Sequence, residues 1–413
     1  MFKTSIARTV TLAALGVAST IPSLAHADFI KDSTANLELR NFYFNSDNRQ
    51  EGASQSKAEE WAQGFLLRYE SGFTEGPLGF GVDALGLLGV KLDSSPDRTG
   101  TGLLPVGADG APDEYSQLGT TAKARISQST LRVGTLIPKL PTVLPADNRI
   151  LPQTFRGAHL VVEEIDGLIL NFGRLTQNSL RNSSSSDDMI VNAKGSRGGQ
   201  NTDEFDFAGA SYKWNKNLTT AYNYGHLDKN YKQHIINLTH VLPIAEGQSF
   251  KSDLRYARST DDGSSNVDNN AFGAMFTYSL SGHSFGAAYQ KMSGDTGFAY
   301  INGTDAFLVN YAIIAADFAN PSEKSWQARY DYNFAAIGVP GLTFMTRYIK
   351  GDNFNVGSIA GKEWERDTFI SYIVQQGHLK NLGLKWINAT YRNNFNRDID
   401  QNRLVVSYTI PLL

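Results

Sequence analysis

Residues 323–334 read EKSWQARYDYNF and alternate strictly between apolar and polar positions. Trp326, Ala328, Tyr330, Tyr332 and Phe334 share one parity; Gln327, Arg329, Asp331 and Asn333 share the other. Successive side chains of a strand point to opposite faces, so the segment predicts a strand with one aromatic face and one charged face. In a soluble sandwich the apolar face meets a core. In an outer-membrane barrel it meets lipid, and the polar face lines a lumen.

The same period of two recurs along the chain. Segments of about ten alternating residues between turn signals number roughly eighteen, the pattern of membrane-spanning strands. NLELRNFYF comes first, then WAQGFLLRYESGF, in which Trp61, Phe65, Leu67 and Tyr69 oppose Gly64, Leu66, Arg68 and Glu70. LGFGVDALGLLGVKL sets Asp83 and Lys91 among glycines opposite Leu78, Phe80, Val82 and Ala84. LGTTAKARI sets Lys123 and Arg125 opposite Leu118, Ala122, Ala124 and Ile126. Arg132 opposes Leu131 and Val133, and Lys251, Asp253 and Arg255 oppose Phe250, Leu254 and Tyr256. Phe272, Phe276, Tyr278, Phe285 and Tyr289 point outward; Arg347 opposes Phe344 and Tyr348; Arg403 opposes Leu404, Val406, Tyr408 and Ile410. In LGLKWINATYR, Lys385 and Arg392 differ in parity, so both point inward only if a bulge intervenes.

The connections alternate in length. Short ones include SGFTEGP, EIDGL, KWNKN, LPIAEGQ, SLSGH and AAIGVPG. Long ones cover 91–115, 138–156, 177–204, 293–324 and 350–363. Short turns at one end and long loops at the other are the asymmetry of an outer-membrane barrel, and an even strand number leaves both termini at the short-turn end. No fixed-length repeat supports a solenoid. A sandwich is disfavoured because arginines recur on the polar parity of strand after strand, opposite aromatics near strand ends. The pattern therefore predicts an all-β transmembrane antiparallel barrel of about 18 strands.

A lumen that wide holds water unless loops narrow it. The segment PKLPTVLPADNRILPQTFRG is proline-rich, which excludes strand pairing, and apolar enough to pack against the inner wall. Its alternative placement is a cap on the outside. The 293–324 segment, with FLVNYAII, is a second candidate to fold inward. SSSSDD and GSRGGQN read as a hydrophilic, mobile loop tip.

Composition narrows the function classes. The 413 residues contain no cysteine, which excludes disulfides, thiol catalysis and cysteine metal sites. A net charge of -3 gives no basic surface for nucleic acid. The seven histidines lack metal-ligand spacing, and no G-x-S-x-G elbow is present, so no cofactor, no metal and no enzyme is expected. At the N-terminus Lys3 and Arg8 flank an apolar run ending at Ala25 and Ala27 in A-x-A spacing. That predicts a signal peptide over 1–27 and a single barrel domain over 28–413; the run is too short for the roughly 20-residue spanning helix.

The motifs LRNFYFNSDN, QGFLLRYESGFTEGPLGFGVDALGLLGVKLD, TGTGLLPV, NRILPQTFRG and EKSWQARYDYNF closely resemble the OprD family of substrate-specific outer-membrane channels. The resemblance extends from the start of the mature chain to the last strand. It implies an 18-stranded barrel, an eyelet made by inward loops, and a ladder of basic residues guiding carboxylate-bearing solutes such as amino acids or small aromatic or hydroxy acids. By this resemblance Arg149 is an eyelet arginine, and Arg403 and Lys385 stand on ladder positions. Tyr300, Asp305 and Asp317 match eyelet positions of the second inward loop. Ile387, Ser371 and Ser46 replace cations of members specific for basic amino acids, while Arg40, Arg68, Arg125, Arg132, Arg329 and Arg347 stand on the inward parity. For Arg329 with Asp331 and Arg255 with Asp253, a stiffening ion pair within the wall is the alternative role.

The expected function is passive uptake of small carboxylates across the outer membrane of a Gram-negative bacterium. The partners are outer-membrane lipid and small solutes, not nucleic acid, with the barrel monomeric or weakly associated. The other readings are a structural or adhesive barrel, which needs a plug, and a membrane-embedded lipid hydrolase, which needs Ser and His at one height on the outer wall.

Overall fold

The structure is a computed structural model and describes residues 29–49, 55–315 and 317–413. The expected signal peptide lies outside the described residues. The first strands are β1 (Thr34–Asn48), β2 (Lys57–Glu70), β3 (Leu78–Asp93), β4 (Glu114–Ile126) and β5 (Ser129–Leu136). After the two-residue β6 (Leu144–Pro145) come β7 (Thr154–Ile165), β8 (Leu168–Ser179) and the two-residue β9 (Val191–Asn192). Next are β10 (Phe205–Lys213), β11 (Leu218–Leu227), β12 (Tyr231–Ala245), β13 (Gln248–Asp261), β14 (Asp268–Leu280) and β15 (His283–Ser293). The short β16 (Tyr300–Ile301) and β17 (Thr304–Asp305) precede β18 (Lys324–Asn333), β19 (Leu342–Val356), β20 (Ile359–Ile373), β21 (Gly383–Asn393) and β22 (Ile399–Pro411).

The long strands form one 18-stranded sheet in which each pairs antiparallel with its chain neighbours. β22 returns to β1, with Phe44 opposite Arg403 and Leu39 opposite Tyr408, and closes the barrel. Closure removes every sheet edge, which is what a strand structure in lipid requires. The start of β1 and the end of the chain after β22 meet at the short-turn end, where Leu412 N–H donates to the Ala35 carbonyl at 2.7 Å.

The wall follows the expected parity. Leu118 is 81% exposed, and Phe80, Phe285, Trp326 and Leu404 are also exposed on the outer face. On the inner face of the same strands Lys123, Gln327 and Arg403 are buried. β21 contains no bulge against either neighbour. Lys385 therefore points inward with Ile387 and Ala389, whereas Arg392 points outward and pairs with Asp400 at 2.8 Å.

One expected loop is absent. Residues 350–363 form the far end of the β19–β20 hairpin, turning over 357–358. A register shift between Gly351 and Phe354 turns Phe354 inward, where it is 3% exposed and packs edge-on against Phe395 at 5.4 Å. Strands that project beyond the bilayer need no apolar outer face, so their polar sequence reads as loop.

Among the described residues the apolar clusters lie where loops meet the inner wall. Ile150 and Leu151 pack with Phe42, Phe44, Leu66, Leu87, Leu103 and Leu104. Gly64 permits this approach: a Cβ there would stand 2.9 Å from the Ile150 carbonyl oxygen. The 137–153 loop is thus folded into the barrel, not set as a cap. The 294–323 loop also folds in. β17 pairs with β6, and β16 pairs with β9, so three loops are stitched together inside the barrel; the proline-rich segment, expected not to pair, thus forms a two-residue ladder at Leu144–Pro145, where the proline ends the pairing.

Candidate functional site

The constriction is built by a compact turn. Leu140 and Val143 exchange backbone hydrogen bonds at 3.1 and 3.0 Å, and Gln153 N–H donates to the Ala146 carbonyl at 2.9 Å. This knot presents Asp147, Asn148 and Arg149 between apolar anchors. Arg149 Nε donates to the Thr101 carbonyl at 2.9 Å, and its Nη1 donates to the Asn148 carbonyl at 2.9 Å. Its guanidinium lies 4.9 Å from the Phe44 ring centre. Arg403, from β22, lies 4.3 Å from the same ring. Arg403 Nη2 donates to Gln401 Oε1 at 2.6 Å and to the Ile313 carbonyl at 3.2 Å.

A third guanidinium joins them. Arg181 Nη1 donates to Asn148 Oδ1 at 2.8 Å, and Arg149 Nη1 reaches the same oxygen at 3.1 Å. Arg181 adjoins the serine-rich segment expected to be a mobile tip, and so falls outside the expected site. That segment is tied down: Gln117 Nε2 donates to the Ser183 carbonyl at 2.6 Å, and the Tyr115 hydroxyl donates to the Arg181 carbonyl at 3.2 Å. A basic residue between two inward loops was the only local signal available.

Beside the arginines, across Asn148, stand polar residues of the 294–323 loop. The Tyr311 hydroxyl donates to Asp305 Oδ1 at 2.6 Å, and Asn148 Nδ2 donates to that oxygen at 3.4 Å. Burial, then the charges of Arg403 and Arg181, pull the Arg149 pKa below the ordinary arginine value; Tyr311 and Asp305 oppose that pull. Arg149 remains partly exposed, and a guanidinium holds its proton at any ordinary pH. Burial pushes the Asp305 pKa up, against hydrogen bonding from Tyr311 and the fields of Arg181 and Arg149.

The remaining inward residues divide by partner. Arg40 donates to Glu38 and Asp147, each at 2.7 Å, and Arg68 donates to Glu38 at 2.9 Å. Arg329 holds Asp331 through two bonds of 2.8 and 2.7 Å, and Arg347 pairs with Asp367 at 2.7 Å. Arg255 pairs with Asp253 at 2.8 Å. Arg149, Arg181, Arg403, Lys385, Arg132 and Arg125 form no ion pair within 4.0 Å among the described residues. Arg125 instead stacks 4.3 Å from the Phe73 ring.

Asp317 stands apart from this surface. It is 2% exposed, and Lys194 Nζ lies 2.6 Å from it, so its charge is neutralised within the packed loops. Tyr300 donates to Asp317 Oδ2 at 3.2 Å and sits with it. Of the two aspartates expected at the eyelet, Asp305 is the one that the structure brings beside the arginines.

A cavity of about 620 Å³ opens against the constriction, lined by Arg40, Arg149, Arg403, Lys385, Ser371 and Ile387. A second, of about 380 Å³, is lined by Arg68, Arg132, Lys139 and Asp147. Cations dominate the ionisable side chains of the first.

A closed 18-stranded barrel with a lipid-facing apolar exterior and a charged constriction formed by inward loops defines an outer-membrane channel. The chain matches the family described as outer membrane porin, OprD family, over residues 27–412. It belongs to that family, whose members are channels and not enzymes. It is 38% identical over 406 residues to the porin-like protein GalP of Pseudomonas putida, covering 96% of this chain and 97% of that one. It is 39% identical to Porin D of Pseudomonas aeruginosa over 419 residues, covering 93% and 92%. The crystal structure of Pseudomonas aeruginosa OpdQ superposes with a TM-score of 0.87 at 62% identity, covering 94% of this chain and all of that one. The protein is thus an outer-membrane porin that carries small solutes.

Proposed function

We propose that this porin passes small solutes bearing a carboxylate, and that Arg149, Arg181 and Arg403 form the selective step. The observation that carries the reading is the set of three guanidiniums around Asn148 and Phe44 with no carboxylate within 4.0 Å of them among the described residues. A lone cation in a dry interior is costly, but in a water-filled lumen it stays hydrated and lowers the entry cost of an anion. The guanidinium fork matches a carboxylate in two parallel bonds.

Passage requires that a solute leave each site as well as enter it. Several spaced cations serve this better than one deep site. Lys385 and Arg132 extend the cationic lining on the short-turn side of the constriction. Asp305 and Tyr311 set the other polarity on the far side of the Asn148 amide from the arginines, so a dipolar solute such as an amino acid or hydroxy acid is oriented as it crosses. Arg40, Arg68, Arg329 and Arg347 hold wall carboxylates and act mainly on the shape of the lumen.

The test is uptake into liposomes of matched pairs: a small carboxylic acid and its neutral primary amide. The acid is expected to enter faster through the wild-type channel. Arg149→Gln is expected to lower acid entry about tenfold, the scale of one charge-assisted hydrogen bond, and to leave amide entry within about twofold. Equal entry of acid and amide through the wild type would overturn the reading.

A further inference from the structure

The outer wall carries a second cationic feature that the lumen does not use. On four consecutive strands an outward aromatic residue stands two positions from an outward lysine, with the lysine nearer the loop end: Tyr289 and Lys291 on β15, Trp326 and Lys324 on β18, Tyr348 and Lys350 on β19, Trp364 and Lys362 on β20. The aromatic rings form a continuous row. Tyr289 is the register partner of Trp326, and the ring of Tyr348 lies 5.5 Å from those of both Trp326 and Trp364. Such a row marks the interface between hydrocarbon and head groups. The lysines stand just beyond it, level with the head groups of the outer leaflet.

Their lack of partners sets them apart. At the same end of the barrel other outward cations are neutralised: Arg174 by Glu204 and Asp206, Lys232 by Asp262, Arg258 by Asp268, and Arg392 by Asp400. Lys291, Lys324, Lys350 and Lys362 form no ion pair within 4.0 Å among the described residues. Asp352 is the register partner of Lys324, yet it makes no such contact. Lys291 and Lys324 are themselves register partners, a like-charge juxtaposition that destabilises a sheet. Exposed Arg366 on β20 adds a further cation below Trp364. An anion bridging the lysines relieves that repulsion.

We propose that this face of β15 and β18–β20 binds the phosphates of a phosphorylated glycolipid of the outer leaflet, lipid A, with its acyl chains packed below the aromatic row. The charge sign, the height on the wall and the adjoining apolar surface together fit a phosphate that is attached to acyl chains. Free phosphate lacks the apolar part, and an acidic peptide would not lie within the bilayer.

The test titrates detergent-solubilised full-length protein with bisphosphorylated lipid A, with dephosphorylated lipid A and with inorganic phosphate, reading tryptophan emission. The comparison is the variant K291Q/K324Q/K350Q/K362Q. Each lysine near an anionic lipid surface contributes roughly fivefold in affinity, so the variant is expected to bind lipid A at least about tenfold more weakly. Dephosphorylated lipid A is expected to bind wild type and variant alike, and inorganic phosphate not to compete. Equal lipid A affinity of wild type and variant overturns the proposal, as does wild-type binding of the dephosphorylated form as tight as that of lipid A, or displacement by inorganic phosphate. Bilayer conductance identical to wild type shows that the variant is folded. If it does not fold, the pairs K291Q/K324Q and K350Q/K362Q are each expected to show part of the loss, and no loss in either pair overturns the proposal equally.

Discussion

Arg149 and Arg403 approach one aromatic ring, that of Phe44, at 4.9 and 4.3 Å from its centre, and neither has a carboxylate partner among the described residues. One arginine comes from an inward loop, the other from the last strand, whose residue 403 is the register partner of Phe44. The ring holds two like charges near it through its negative faces, where a carboxylate would have quenched them.

On the proposed reading, neutralising either arginine changes the field where the inward loops narrow the lumen. Arg149→Gln and Arg403→Gln are each expected to lower the anion-to-cation permeability ratio, measured from the reversal potential across a salt gradient. The double variant is expected to fall further, but by less than the sum, because each substitution also relieves repulsion on the other arginine. A double variant with the wild-type ratio would place both arginines off the ion path.

Arg181 depends on a backbone anchor. The Tyr115 hydroxyl donates to the Leu103 carbonyl at 2.7 Å and to the Arg181 carbonyl at 3.2 Å. Gly89 makes room for that ring, since a Cβ there would stand 2.3 Å from it. Tyr115→Phe is expected to reduce carboxylate uptake severalfold with the barrel intact, and Gly89→Ala to do so more strongly by displacing the ring. Unaltered uptake in both variants would show that Arg181 does not depend on Tyr115 for its position.

The second inward loop is pinned by one buried carboxylate. Glu365 accepts the N–H groups of Ile313, Ile314 and Ala315 at 2.8, 2.7 and 2.7 Å. The Ile313 carbonyl in turn accepts from Arg403. Glu365→Gln removes the charge and one acceptor, a loss of about 2 kcal/mol in loop anchoring. Single-channel records are expected to show added current fluctuations, with unfolding of the barrel itself little changed. Steady wild-type conductance in this variant would mean that other contacts suffice to hold the loop.

Asp305 gives the constriction a pH response. Burial holds its pKa above the unfolded value, so its ionised form opposes folding at neutral pH, and protonation on acidification relieves that cost. As pH falls through the raised pKa the acidic wall loses its charge, while the arginines keep theirs. The anion-to-cation permeability ratio is expected to rise as pH falls through that raised pKa, and Asp305→Asn is expected to show a raised ratio with a flatter profile. A wild-type slope in the Asp305→Asn channel would assign the response to other carboxylates.

The wall was legible in the sequence because strand parity is local. Trp326 outward and Gln327 inward follow from a period of two alone, and a lipid exterior keeps that alternation strict. The inward course of the 137–153 loop was also legible, from its prolines and apolar residues. Parity could not say which inward arginines carry a partner. Arg329 holds Asp331 on its own strand, whereas Arg40 is met by Asp147 from a loop more than a hundred positions away. Nor could it resolve Lys385 against Arg392, which required the registers of β20 and β22. Arg181 entered the constriction, and Asp317 left it for Lys194, because three loops pack on one another inside a closed wall. The alternation, the lipid or lumen face of the strands other than β21, and so the class of the protein follow from the local order of residues. The constriction follows from the fold alone, since the contacts that pair or free its charges join residues distant in the chain and obey no local period.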